Sequence, residues 1–372
     1  MGINAIFDSR NWVAVPFHFW SVVFFVFGSM VGSFLNVCIH RMPIGESIVR
    51  PPSHCPHCKY SIPWFLNIPL VTWLYLSGKC ANCGAPISIR YFLVELLTGL
   101  VFLSCWLFYG SQSAMLALVY CLFLAGLIAA TFIDFEHFII PDEITIGGIA
   151  VGIFCSFIVP AMHHTKSIPD SMKQSFVGAL VGGGLIYGIL RLGKLAFGRQ
   201  KLELQADTKI LFTETSIILP GQELLYEDLF YRDSDVIKLV AAKVELTDRC
   251  YRDVNVRLTP VKLQIGEDVL ATNDVPYLEV VTNEVVLPRE AMGLGDVKFM
   301  AAIGAFLGWQ AVIFSLVVSS ILGSIVGVSL IAFKKQAWSS RLPYGPYIAL
   351  AAAIWLFGGM HFVQWWVARY LH

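Results

Sequence analysis

Long apolar runs recur along the chain with polar breaks between them, at about 13–37, 90–109, 114–134, 143–162, 175–197, 296–309, 311–333 and 346–368. A hydrocarbon core ~30 Å thick needs roughly 20 helical residues, so this pattern predicts a polytopic α-helical membrane protein with about eight transmembrane helices. The run at 296–309 is short, and its Gly304 and Gly308 leave open a half-buried or broken helix. The first run is too long for a signal-peptide core and lacks a small-residue cleavage site, so it reads as a retained helix. The GxxxG of Gly28 and Gly32 and the triplet Gly182 to Gly184 are expected at close helix packing rather than in ligand loops.

Two stretches break the apolar pattern. Between Arg199 and Glu290, apolar and polar residues alternate with a period of two, as in KILFTETSIIL (Lys209 to Leu219), VKLQIGEDVL (Val261 to Leu270) and YLEVVTNEVVL (Tyr277 to Leu287). That alternation, punctuated by Gly, Asn, Asp and Pro, predicts an inserted soluble β domain of about 90 residues. Its solvation is marked by charge, since 17 of the chain's 26 acidic residues fall there. The other stretch, 41–89, holds seven prolines and four grouped cysteines and reads as a compact loop domain with little regular structure. The expected organisation is a first transmembrane helix within 1–40, the loop domain at 41–89, helices over 90–198, the β domain at 199–290 and helices over 291–372.

Composition narrows the class. With 56% hydrophobic and 14% charged residues and a mean hydropathy of +0.68, the chain is too apolar for a soluble domain of 372 residues. Lys and Arg total 26 against 26 acids, a formal net charge of zero with no basic tract, so nothing points to nucleic acid. The cations are unevenly placed. Arg41, Arg50, Lys59, Lys79 and Arg90 flank one loop, Arg191, Lys194, Arg199 and Lys201 a second, and Lys334, Lys335 and Arg341 a third; the other side has Arg10, Lys166, Lys173 and Arg369. The positive-inside rule then puts the N-terminus outside and the basic loops in the cytoplasm.

Two segments carry ionisable groups where the apolar pattern disfavours them. FIDFEHFIIPD (Phe132 to Asp142) sets Asp134 at the end of one run, and GLGDVKF (Gly293 to Phe299) sets Asp296 at the start of another. A carboxylate at such a position costs about 2.5–3.5 kcal/mol at the bilayer centre on insertion scales and persists where it works or finds a partner. Two of them suggest an acid/base dyad at the cytoplasmic edge. Peptide hydrolysis needs one ionised carboxylate to take a proton from water and one protonated to assist the carbonyl, and like charges held close cannot both ionise. Asp296 begins a helix whose positive end favours a carboxylate, and Asp134 ends one whose negative end disfavours it, which makes Asp296 more often the base. Gly293 and Gly295 suit either close approach of an extended substrate backbone or helix capping. Asp142 and Glu143 are expected to cap the next helix, and His137 to lie at the interface. Lys298 has two candidate partners, Asp296 and a lipid phosphate, and His40 and Arg41 are candidate headgroup anchors for the first helix.

Cys55 and Cys58, and Cys80 and Cys83, form two C-x₂-C pairs separated by 21 residues. Four thiolates close a tetrahedral zinc shell with no position left for a reacting water, so the expected role is structural. Two disulfides are the alternative, disfavoured by a reducing cytoplasm. Cys38, Cys105, Cys121, Cys155 and Cys250 show no such spacing and are expected to be ordinary buried or partly buried thiols.

These landmarks together resemble the bacterial type IV prepilin peptidases. The matching stretches are GSFLNVCIHRMP (Gly32 lies within it), the four-cysteine loop, ISIRYFLVELLTG (Ile87 to Gly99), FIDFEHFIIPD, GLGDVKF and LPYGPYIAL (Leu342 to Leu350), which cover nearly all of the chain except the insert. The resemblance implies a bifunctional enzyme of the bacterial inner membrane that removes the leader of type IV prepilins or type II secretion pseudopilins and methylates the new N-terminus. It implies catalytic roles for Asp134, in D-x₆-P-D, and for Asp296, in GxGD followed by Lys298. Zinc ligation would fall to Cys55, Cys58, Cys80 and Cys83, methyl transfer would involve Gly78 and Lys79, and the donor would be S-adenosylmethionine. No Gly-rich nucleotide loop supports that donor independently. The insert departs from typical members. Competing readings are a GxGD intramembrane protease of the presenilin-like or preflagellin type, which would not be expected to carry the four cysteines, and a transporter using the aspartates as an ion relay, for which inverted repeats are missing.

Overall fold

A computed structural model of the chain describes residues 16–370 apart from 198, 221, 231–234, 247–248, 273–274, 276, 289–292 and 334–341. Arg10, Lys334, Lys335 and Arg341 of the orientation argument, and the expected β-domain boundary at Glu290, lie outside the described residues. The chain forms two compact units, Met1–Ile186 with Leu294–His372, and Tyr187–Gly293.

In lipid every backbone polar group must be satisfied within its own segment, which turns the apolar runs into helices. They are α1 (Phe17–Arg41), α3 (Ile89–Tyr109), α4 (Ala114–His137), α5 (Asp142–Ile158), α6 (Ile168–Phe197), α8 (Leu294–Leu307), α9 (Trp309–Ala332), α10 (Gly345–Ile354) and α11 (Met360–Tyr370); the short α2 (Val71–Tyr75) lies in the cysteine loop and α7 (Tyr226–Leu229) in the second unit. Ser88 and Ser113 start α3 and α4 by accepting the N–H groups of Arg90 and Leu116. Gly308, at φ +81°, separates α8 from α9, so the run at 296–309 is a helix that stops at its second glycine.

Among the described residues six helices are long and apolar enough to cross a membrane: Phe17–Ile44, Ile89–Tyr109, Ala114–His137, Ile168–Gly193, Trp309–Ala332 and Gly345–Trp365. The expected count of about eight is reached only with α5 and α8, which have 17 and 14 residues. At 1.5 Å per residue they extend about 26 and 21 Å, short of a ~30 Å core.

Small residues set the helix contacts. Helices α1 and α3 run antiparallel, and a Cβ at Gly28 or Gly32 would lie 2.7 Å from Phe102 Cβ or Glu95 Cα. Helix α6 runs antiparallel to α8, with Gly178 against the Gly304 backbone, Gly182 against the Met300 carbonyl and Ser175 Oγ donating to the Ala305 carbonyl at 2.8 Å. Gly184 meets nothing within 4 Å, so the glycine triplet packs only in part and Gly178, outside it, makes the closest approach. Helix α5 lies parallel to α8, with Gly148 beside Ala302 and Gly152 beside Ala305 and Phe306.

The second unit is one eight-stranded antiparallel sheet of order β3-β2-β1-β8-β4-β5-β6-β7. Its strands are β1 (Arg199–Phe212), β2 (Ser216–Leu219), β3 (Gln222–Leu225), β4 (Ile237–Glu245), β5 (Cys250–Leu258), β6 (Lys262–Ile265), β7 (Asp268–Ala271) and β8 (Leu278–Pro288). Alternation buries one face, where Ile210, Ile237, Val256, Leu263, Val280 and Val285 form the core. KILFTETSIIL and VKLQIGEDVL are each a hairpin of two strands, β1–β2 and β6–β7, while YLEVVTNEVVL is the single strand β8. Pairing of β1 with β8, from Arg199 opposite Pro288, brings the first and last strands together at the sheet centre.

Candidate active site

Phe138, in the left-handed conformation at φ 54°, closes α4, and its N–H donates to the Asp134 carbonyl at 3.0 Å. Asp134 therefore sits in the last helical turn, only 6% exposed. Its carboxylate is met by the start of α10, where the Gly345 N–H donates to Oδ2 at 2.9 Å. This approach requires glycine, because a Cβ at Gly345 would lie 2.8 Å from Oδ2 and 3.1 Å from Ile140 Cδ1. The N–H is available because the first N–H groups of a helix have no partner within it. Bonding at Oδ2 fixes the rotation of the carboxyl group and leaves Oδ1 without a partner among the described residues.

Asp296, 9% exposed, lies in the first turn of α8. The preceding Gly295 rests on Ile140, since a Cβ there would be 3.4 Å from Ile140 Cβ and 3.6 Å from its N and O atoms. Ile140 thus touches the backbone before Asp296 on one side and the Gly345–Asp134 contact on the other. Ile140 therefore lies between the segments that carry Asp134 and Asp296, which stand 162 positions apart in the chain. Gly293 is the last residue of the second unit.

Two ion pairs brace the neighbouring turns. Lys298 Nζ donates to Asp142 Oδ1 at 2.6 Å, joining the N-terminal part of α8 to the first turn of α5, a partner the sequence did not suggest. Asp142 in turn does not cap α5, whose N-cap is Pro141 with no side-chain bond; it stays in the first turn as an acid favoured by the helix dipole and is held by Lys298. Glu136, two residues after Asp134, pairs with Arg90 in the first turn of α3. His137 and His40 are exposed, whereas Arg41 is buried and donates to the Ser47 carbonyl at 3.0 Å, which removes it as a headgroup anchor.

The cysteine loop is built from two similar turns. Cys55 accepts the Lys59 N–H and bonds Tyr60, with Lys59 at φ 58°; Cys80 accepts the Gly84 N–H and bonds Ala85, with Gly84 at φ +71°. All four Sγ atoms lie within 4.8 Å of one another, with Cys55 to Cys83 at 3.8 Å and Cys58 to Cys80 at 4.0 Å, and all four are free thiols. A tetrahedron with Zn–S bonds of about 2.3 Å has S···S edges of about 3.8 Å, so the set fits zinc with side-chain shifts of no more than about 1 Å. Backbone N–H donation at Tyr60 and the Asn82 side chain push the Cys58 thiol down to about 6, and the Cys83 and Asn82 backbones lower that of Cys80, while the neighbouring thiols hold Cys83 up at about 11, so Cys58 and Cys80 are the pair most ready to bind as thiolates. Gly78, at φ +67°, packs on the Trp73 ring, where a Cβ would lie 2.9 Å from Cζ2, and the adjoining Lys79 is exposed. Of the other cysteines, Cys38, Cys105, Cys121 and Cys155 are buried, but Cys250 is exposed because it begins β5 at the solvated end of its strand.

Sequence reasoning gave no role to Gly345, Ile140 or Glu136, and used Arg90 only as an orientation charge. Only Gly345 left a usable signal, a glycine directly before proline at a helix start in LPYGPYIAL.

Comparison with known proteins bears on this arrangement. The Bacterial Peptidase A24 N-terminal domain matches residues 26–109, and the Type IV leader peptidase family matches 121–204 and 269–328. Residues 205–268, outside both matches, belong to the β unit. A prepilin leader peptidase/N-methyltransferase of Aeromonas hydrophila is 27% identical over 385 residues, covering 96% of this chain and 97% of the relative. Similarly named proteins of Dichelobacter nodosus and Myxococcus xanthus are 36% identical over 208 residues (48% of this chain, 69% of the relative) and 43% identical over 164 (44% and 46%). No solved structure matches the chain.

Proposed function

As this chain belongs to the type IV leader peptidase family, we propose that it cleaves prepilin leaders with Asp134 and Asp296 and then methylates the new N-terminal amine. The substrates are type IV prepilins or type II secretion pseudopilins. The observation that supports the reading is that Gly295, next to Asp296, and Gly345, which donates its N–H to Asp134, both pack on Ile140.

In the hydrolytic step Asp296, at the positive end of α8, takes a proton from water as the water attacks the scissile carbonyl. Asp134, protonated at Oδ1, hydrogen-bonds the carbonyl oxygen and then passes a proton to the departing amine. Because the pair shares its protons, these roles describe the dominant microstate. Gly293 and Gly295 leave room for an extended substrate backbone. Lys298, through Asp142, keeps the first turn of α8 in register with α5.

Zinc held by Cys55, Cys58, Cys80 and Cys83 has a structural role, fixing the loop that carries Gly78 and Lys79. S-adenosylmethionine supplies an electrophilic methyl group, which the free amine of the cleaved substrate attacks. Gly78 and Lys79 take part in that second activity, a reading supported by their position directly before Cys80.

The enzyme sits in the bacterial inner membrane with eight crossings. Asp134 ends α4 at the face where α5 begins, while α6 opens beside the C-terminal end of α8, so α5 carries the chain across; α8 does the same from Asp296 to Trp309. With the N-terminus outside, the cysteine loop, the β unit and the aspartates share the cytoplasmic side. The β unit is an accessory domain acting on substrate recognition or gating and takes no part in the chemical step. The test is incubation of purified protein with a prepilin and labelled methyl donor, followed by mass spectrometry of the product N-terminus. A product that keeps its leader, or a free N-terminus that gains no methyl group, rejects the corresponding activity.

A further inference from the structure

Between the membrane-crossing helices α1 and α3, the cysteine loop carries an apolar surface that the fold leaves uncovered. Trp64 is 82% and Tyr75 79% exposed, and Phe65, Ile68, Val71 and Leu74 are exposed beside them. A patch of this kind on a water-facing loop is an aggregation liability, which points to a partner.

Contacts with α3 fix where the patch lies relative to the bilayer. The Leu70 N–H donates to Glu95 Oε2 at 2.7 Å, and the Trp73 ring packs against Phe92 with centroids 5.2 Å apart. Helix α3 has 21 residues, about 31 Å at 1.5 Å per residue, which nearly equals the ~30 Å hydrocarbon thickness. Phe92 and Glu95, three and six residues after Ile89, therefore lie about 4.5 and 9 Å along it from its first residue. The turn Trp64–Leu66 and α2 are thus held where hydrocarbon gives way to headgroups. Glu95, 8% exposed, is a carboxylate inside a membrane-crossing helix, and the backbone of the loop covers it and satisfies it.

The chemistry of the surface matches that depth. Tryptophan and tyrosine favour the headgroup level, and the aliphatic side chains between them favour the acyl boundary. Within 42–88 the charges are Arg50, Lys59 and Lys79 against the single acid Glu46, and none of the three cations has an ion pair among the described residues. Such a surplus suits an anionic leaflet.

We infer that residues 64–75 are a membrane-docking face that seats the cysteine loop on anionic phospholipid at the end of the helices where the aspartates lie. The inference rests on the membrane-crossing reading of α1 and α3. Docking would hold Gly78 and Lys79 at the level where an apolar substrate segment emerges, so that a new N-terminus need not leave the interface to be methylated.

Photocrosslinking tests this on the full chain in vesicles of phosphatidylethanolamine and phosphatidylglycerol. Trp64→p-benzoylphenylalanine and Tyr75→p-benzoylphenylalanine variants are compared with the same replacement at Leu100, exposed on α3, and at Val240, exposed in the β unit. Lipid adducts at 64 and 75 should match those at Leu100, exceed those at Val240 by about tenfold or more, and fall when phosphatidylglycerol is omitted. Adducts at Leu100 but not at 64 and 75 overturn the docking face alone. Lack of adducts at Leu100 as well overturns the membrane-crossing reading beneath it. Crosslinking of 64 and 75 to a co-reconstituted prepilin in place of lipid also overturns the proposal, in favour of a peptide surface.

Discussion

Cys55, Cys58, Cys80 and Cys83 come from 29 consecutive residues, whereas Asp134 and Asp296 stand 162 positions apart with an entire β sheet between them in sequence. The cysteine site is assembled by two tight turns whose backbone hydrogen bonds are local, such as Lys59 to Cys55 and Gly84 to Cys80. The aspartate site has no local logic of that kind. It depends on α10 delivering one N–H to Asp134 and on Ile140 filling the space between Gly345 and Gly295. A local site is lost when a ligand is lost, but a long-range site is lost when a helix shifts.

That contrast can be broken most sharply at the aspartates. Asp134→Asn and Asp296→Asn should each lower prepilin cleavage by about 10³-fold or more, as expected for removal of an acid or base, while the protein still folds and still methylates a mature substrate. Gel analysis of leader removal beside label uptake measures both; substantial cleavage by either variant sinks the dyad. At the cysteine site the purified protein should hold about one zinc per chain, and Cys58→Ser should remove it. Methyl transfer should then fall about 10–100-fold and cleavage no more than that. Metal analysis finding no zinc, with the four cysteines oxidised, contradicts the site.

Gly345→Ala probes the long-range geometry without replacing a carboxylate. The added methyl meets Asp134 Oδ2 at 2.8 Å, so cleavage should drop about 10- to 100-fold through kcat, with zinc content and methyl transfer retained. Parallel losses of both activities would instead indicate global misfolding. Replacing the β unit with a Gly/Ser linker should leave residual cleavage of a short leader peptide and cost more on a full-length prepilin. A well-folded linker variant wholly inactive on the short peptide refutes an accessory role. The smallest effect is expected at the exposed pair, where Lys298→Gln or Asp142→Asn should slow cleavage by at most about fivefold. The double variant should be no worse than either single one, and additive losses would show that the pair does not act as a unit.

The sequence by itself determined what depends on near neighbours. Apolar runs of bilayer length specified the long helices, alternation from Arg199 onward specified strands, and two C-x₂-C pairs specified a four-thiol cluster, because period and spacing act within a few turns of chain. The positions of Asp134 and Asp296 against apolar runs were equally legible, since an ionisable residue stands out in such a background. Only tertiary structure decided that Lys298 reaches Asp142, that Arg41 is buried, that β1 pairs with β8, and that Gly345 donates to Asp134. All but the burial of Arg41, which bonds Ser47 six residues on, are contacts between segments distant in the chain. Which segments meet is set by the joint packing of all the helices and strands, where a missing Cβ at one glycine admits a backbone from another helix, and no residue pattern within either segment encodes the partner.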